Sequence, residues 1–197
     1  MHIVTHLLCG WAIAETASAF KPLAARDRAL VAWACVAPDV DGAGLLVDWA
    51  NRILGRVGTD YYETWHHALG HGGAAALLVT LLAACLGRDR WRAAALVLLS
   101  FHLHLLGDLA GSRGSSALDL WTIPYLAPFA MRPALSWDGQ WPLTSWQNTS
   151  LTIVLMAWAL MLAIRRSYSP VSLISVRADR ALVGALRRRF TRSVEGP

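Results

Sequence analysis

With 197 residues and no low-complexity stretch or glycine-serine linker, the chain has the size of a single domain. A hydrophobic fraction of 55%, a charged fraction of 16% and a positive mean hydropathy exclude an ordinary soluble composition and point towards lipid. The net charge of +5 does not indicate nucleic acid, because the arginines fall in three short clusters and a tail, not on one basic face with interleaved aromatics.

Alternating apolar and polar residues are nearly absent, whereas Ala, Leu, Val and Trp run in long blocks, so the periodicity predicts an all-α chain. Helices are predicted over residues 3–20, 27–37, 44–55, 67–87, 91–110, 149–166 and 178–191, with boundaries good to about 2 to 4 residues. The first helix has no basic segment before it and carries His2, His6 and Glu15, so a cleaved signal peptide is not expected. Cys9, Cys35 and Cys85 stand singly in apolar stretches, without CxxC spacing, and read as buried thiols. Gly73 to Leu86, Ala93 to Leu106 and Leu151 to Ile164 are almost continuously apolar but shorter than the roughly 20 residues that span a bilayer, so a very apolar soluble bundle is the rival reading.

The basic clusters favour the membrane. Lys21, Arg26 and Arg28 follow the first helix; Arg88, Arg90 and Arg92 occupy a tight turn; Arg165 and Arg166 follow the last apolar block. The positive-inside rule places all three on the cytoplasmic side. The loop with Trp121, Tyr125, Trp137, Trp141 and Trp146 then faces outward, with aromatics suited to a membrane interface. Residues 1–170 form a helical membrane domain and 171–197 a basic amphipathic tail. In that tail Leu182, Val183, Leu186 and Phe190 share a face opposite Arg180, Arg187, Arg188 and Arg189. It is expected to be cytoplasmic, lying on the anionic inner leaflet or simply solvated.

The seven histidines fall in three places: His2 and His6; His66, His67 and His71; His102 and His104. Pro38-Asp39-Val40-Asp41 closes the second helix, and Asp108 lies one turn beyond His104. In the topology chosen by the arginines, all these groups meet at the outward end. Spacing of i and i+4 puts His104 and Asp108 on one helical face, as it does His67 with His71 and His2 with His6. Imidazole and carboxylate ligands without thiolates suit Zn, Mn or Fe, and more than four of them suit two ions able to activate water and clamp a phosphoester. Asp41 is a ligand or the base for that water. Bland readings stand beside these: His2 and His102 as satisfied core histidines, Asp39 as a cap at a Pro-Asp turn, and Gly70, Gly72 and Gly73 as small residues at a helix contact. Glu15 lies towards the cytoplasmic half of its helix, outside the site.

Thr5-His6, Pro38-Asp39-Val40-Asp41, the run His66 to His71, and His104-Leu105-Leu106-Gly107-Asp108 together resemble the motif order of the YdjM-like family of inner-membrane, metal-dependent hydrolases. The resemblance covers roughly the first 130 residues and implies metal-site roles for His6, Asp39, Asp41, His66, His71, His104 and Asp108. It departs where the family has Arg and this chain has His67, and where the family has Thr and this chain has Gly70. His67, or Arg113, is then expected to take the place of the phosphate-clamping arginine. A looser similarity to zinc-dependent phospholipase C, an all-helical multi-metal enzyme, goes with it.

These readings converge on an all-α, multi-spanning or membrane-associated bundle in the plasma (inner) membrane, with its site towards the outer face. The expected activity is hydrolysis of a phosphoester, lipid or small molecule, by water activated on divalent metal, Zn before Mn or Fe, with two ions and with Asp41 and His67 catalytic. Membrane lipid is the expected partner and nucleic acid is not. A metal transporter would use the same ligands without chemistry, and a structural membrane protein would only hydrogen-bond them.

Overall fold

The computed structural model describes residues 1–66 and 69–190. Among them the regular elements are helical, with two isolated β-bridges in the long loop and no strand. The α-helices run α1 Ile3–Phe20, α2 Ala25–Ala34, α3 Gly44–Ile53, α4 Tyr61–Trp65, α5 Gly73–Leu86, α6 Arg90–Gly111, α7 Trp146–Arg166 and α8 Val176–Phe190. Short 3-10 turns occupy Ala37–Ala43 and Pro170–Leu173. Helices α1, α6 and α7, with 18, 22 and 21 residues, are long and apolar enough to cross a membrane. Exposed Leu77, Leu78, Leu81, Leu99, Leu106, Ile153 and Val154 give the bundle an apolar outer surface, the reverse of a soluble protein's.

Small residues set the central crossings. A Cβ on Gly10 of α1 would stand 2.5 Å from the Ala32 carbonyl oxygen and 2.7 Å from the Cys35 Cβ, so only glycine lets α1 meet α2 this closely. Around that crossing Ala14, Val31, Ala34, Ala83 and Val97 pack α1, α2, α5 and α6 together. Ala76, Phe101, Leu105 and Ile123 join α5 and α6 to the long loop.

All three basic clusters do lie at one end of the bundle. Arg92 donates to the carbonyls of Ala17 and Lys21, and Lys21 pairs with Asp89 at 2.9 Å. The buried Asp27 carboxylate accepts the backbone N–H groups of Arg88 and Asp89, tying α2 to the α5–α6 turn. Arg166 reaches the buried Glu15 at 2.8 Å, and Tyr168 links Glu15 to Arg28. Glu15 therefore has a structural partner far from the histidines.

Several expectations need correction. The helix expected from residue 67 begins only at Gly73, and Leu69 to Gly72 form a non-helical turn. His71 therefore stands before the helix and not within it, and His67, expected to pair with it and to be catalytic, lies outside the described residues. The second helix ends at Ala34, and the Pro-Asp-Val-Asp segment forms its own 3-10 turn, since Pro38 has no N–H for a continuing α-helix. Helix α4 was not expected. Cys85 is exposed and Cys9 half-buried, so only Cys35 meets the expectation of a buried thiol. Helix α8 packs on α7 and the preceding 3-10 turn, its Asp179 accepting from the Ser169 amide and hydroxyl at 2.8 and 2.6 Å.

Candidate metal centre

Helix α6 supplies the floor of the centre. His104 and Asp108, one turn apart, are both buried, with His104 Nε2 3.0 Å from Asp108 Oδ2. The Cys35 carbonyl lies 2.8 Å from His104 Nδ1 and accepts its proton, which leaves Nε2 as the ligating nitrogen. His6 of α1 stacks on His104 at 3.8 Å between ring centroids and places its Nε2 3.1 Å from Asp108 Oδ1. Gly107 permits that approach, because a Cβ there would stand 3.3 Å from the His6 ring. The Ser112 hydroxyl and the Met1 ammonium also meet Asp108 Oδ1.

The 3-10 turn and the segment before α5 close the centre from the side. Asp39 brings Oδ1 to 3.7 Å from His104 Nε2. His71 is fully buried, its Nε2 3.3 Å from His104 Nε2 and 3.5 Å from Asp108 Oδ2. Its Nδ1 faces Asp41 Oδ2 at 3.2 Å. Asp41 also accepts the Gly70 N–H at 2.8 Å and meets His66 Nδ1 at 2.8 Å. Gly70 is needed here, since a Cβ would collide with the Pro38 carbonyl and stand 2.9 Å from the Asp41 carboxylate. A threonine at this position does not fit this backbone.

Asp39, His71, His104 and Asp108 can each offer one ligand atom, all within 4.8 Å of one another; Asp41, His66 and His71 form a second such group. In the first group the separations given above run from 3.0 to 3.7 Å. A tetrahedral ion with ligand bonds of about 2.0 to 2.1 Å needs edges of about 3.3 Å, so the donor types suit such an ion and these four separations lie near its edges, the remaining pairs being within 4.8 Å. His71 belongs to both groups, but a neutral imidazole has only one lone pair to give. With Nδ1–H directed at Asp41, that lone pair is on Nε2 and belongs to the first group.

Burial opposes the His71 imidazolium, but its contacts with Asp108 and Asp41 outweigh burial and raise its pKa to about 9. At neutral pH the metal-free centre thus holds a proton on a nitrogen that must be free to ligate. Ion uptake should release that proton, and apparent affinity should fall about tenfold for each pH unit below about 9, levelling off above it. Calorimetric titrations in buffers of different ionisation enthalpy will measure the proton release directly.

A cavity of about 440 Å³ opens onto the centre, lined by Asp39, His66, Asp108, Trp121, Leu45 and Ile3 among others. Trp121 comes from the long loop, with its ring edge-on to His66 at 5.6 Å, and is pinned by Gln140, which bonds both its amide and its carbonyl. It therefore covers the centre, whereas Trp137 and Trp146 are exposed as an interface loop requires. Tyr62 stacks on His66 at 4.5 Å. His2 is exposed at the cavity rim and not a core histidine, while His102 is satisfied away from the centre by the Leu98 carbonyl and the Tyr125 hydroxyl. Sequence reading missed the roles of Cys35, Tyr62, Ser112 and Trp121; Tyr62, one turn before His66, and Ser112, one turn beyond Asp108, left a spacing signal.

Residues 1–181 match the family described as YdjM inner membrane protein. No curated protein and no solved structure matches the chain.

Proposed function

The chain belongs to the YdjM inner membrane protein family, and from that premise and the geometry of the centre we propose that it hydrolyses a phosphoester at the membrane with a divalent metal ion. The observation that carries this reading is the group Asp39, His71, His104 and Asp108, four ligand atoms converging on one point at the base of a cavity. The family name and the three candidate spans support a membrane location. The three basic clusters at the opposite end support a cytoplasmic basic end and tail, with the centre towards the outer face.

Asp39, His71, His104 and Asp108 hold the first ion, and His6 steadies Asp108 through its second oxygen. The group Asp41, His66 and His71 stays beside this ion as a set of Asp–His contacts, and the reading needs no second ion there. The bound ion supplies Lewis acidity, lowering the pKa of a water and offsetting charge on phosphoryl oxygens. His66 lines the cavity and directs Nδ1 at Asp41, an Asp–His pair able to accept a proton from the attacking water and return it to the leaving oxygen. Asp41, already engaged by His66, His71 and Gly70, orients these imidazoles and is not itself the base. Trp121 and Leu45 give the cavity an apolar wall for the non-polar part of a lipid substrate.

The test is hydrolysis of short-chain phospholipids and nucleotide esters by the metal-loaded protein, beside His66→Ala. Release of phosphate or phosphomonoester that falls about 100-fold in the variant, with metal content kept, supports the reading. A fully metallated protein inactive on every ester would leave metal binding without hydrolysis.

A further inference from the structure

Helix α3 leaves the metal centre with an apolar face that stays exposed among the described residues. It follows directly on the Asp39–Asp41 turn, and the segment Ala37–Ile53 bends 56° away from α2. One side of it is fastened to the protein. Asp48, the one buried residue of the helix, accepts the Thr59 hydroxyl at 2.6 Å and the amides of Tyr61 and Tyr62 at 3.0 and 2.9 Å, and Asn51 bonds Thr59. The opposite side presents Leu46, Trp49 and Ile53 at i, i+3 and i+7, exposed by 67%, 63% and 63%. Exposed Arg52 and Arg56 flank this stripe.

We infer that α3 is an in-plane anchor lying in the headgroup and acyl boundary of the leaflet at the metal-centre end. Three observations select lipid as the occupant of this face. The spans α1, α6 and α7 end at the level of the centre, so the bilayer surface passes through the place where α3 begins. Helices α2 and α3 taken together are apolar enough for a membrane segment, broken by the 56° bend between them. The face combines a tryptophan and aliphatic residues with neighbouring arginines, the composition that seats a helix among anionic phosphates above acyl chains.

The anchor has a consequence for access. Leu45, beside the stripe on the same helix, lines the cavity over Asp39 and Asp108. Seating α3 in the interface therefore opens that cavity among lipid headgroups, and phosphoester heads of the same leaflet reach the centre without leaving the bilayer. This consequence rests on the hydrolase reading; the anchor itself does not.

The experiment places nitroxide labels on single cysteines at Leu46, Trp49 and Asn51 in the full chain, with Cys9, Cys35 and Cys85 replaced, in nanodiscs of phosphatidylethanolamine and phosphatidylglycerol. Labels at 46 and 49 should collide severalfold more with oxygen than with a water-soluble nickel chelate, and the label at 51, on the fastened side, should lack that excess of oxygen collisions. Equal access of the chelate to all three positions, or shielding of 46 and 49 from both reagents as a second copy or protein partner would give, overturns the proposal. Should the cysteine-free chain fail to fold, acyl-brominated lipids serve instead: quenching must fall in Trp49→Phe relative to the unaltered chain, and unchanged quenching overturns it equally. Neither readout needs bound metal or activity, so failure here and failure of the hydrolase reading are separate results.

Discussion

The His104→Ala, Asp108→Ala double variant, purified in detergent, should hold less than about a tenth of the metal carried by the unaltered protein, which should bind about one ion per chain. The two residues contribute one nitrogen and one oxygen to the group of four, and Asp108 is also contacted by both His6 and His71. What remains of that group after both changes, Asp39 and His71, is too few ligands to compete with buffer and water. Elemental analysis gives the ratio, and a thermal melt of the same samples separates metal loss from unfolding. A double variant with its metal content unchanged would mean that the ion of this protein sits elsewhere.

How far this centre could be read in advance depends on how local its parts are. His104 and Asp108 were legible because i and i+4 must share a helical face whatever the tertiary structure. The common end of the histidines was legible through Arg88, Arg92 and Arg166, since basic side chains avoid the hydrocarbon core and so fix which helix ends coincide; Arg92 on the α1 carbonyls and Arg166 on Glu15 are that rule in atomic form. The turn at Leu69 to Gly72 was not legible. Apolar Ala68, Leu69 and Ala74 extend the helical pattern through it, and the reason for the break is tertiary: the Gly70 amide goes to Asp41, and a Cβ there would strike Pro38. Trp121 was placed at the interface on composition alone. Its seat over His66 depends on Gln140, 19 residues away, and no local pattern records that bond. Helix α3 was visible as a helix, but its free face was not, because the same stripe would serve equally well in a buried helix.

Asp41→Asn should lower metal affinity about 10- to 100-fold without abolishing binding, a smaller effect than the double variant and one of a different kind. The amide keeps the shape of the carboxylate but has only one acceptor oxygen, whereas Asp41 accepts on both: His66 on Oδ1, and His71 with the Gly70 amide on Oδ2. Whichever way the amide turns, one of these imidazoles faces an N–H and loses its orientation. If the amide nitrogen faces His71, the Nδ1 proton is no longer held there, the tautomer that presents Nε2 to the ion is no longer favoured, and affinity drops. If it faces His66, the ion stays and proton transfer in the cavity suffers. Loss of an anion beside His71 also weakens its hold on a proton, so the pH dependence of metal uptake should shift towards lower pH in the variant. That shift distinguishes an orienting residue from a ligand, because removal of a true ligand lowers affinity at every pH by the same factor. Binding abolished as fully as in the double variant, with no change in pH profile, would make Asp41 a ligand and move the ion from the Asp108 side of His71 to the His66 side.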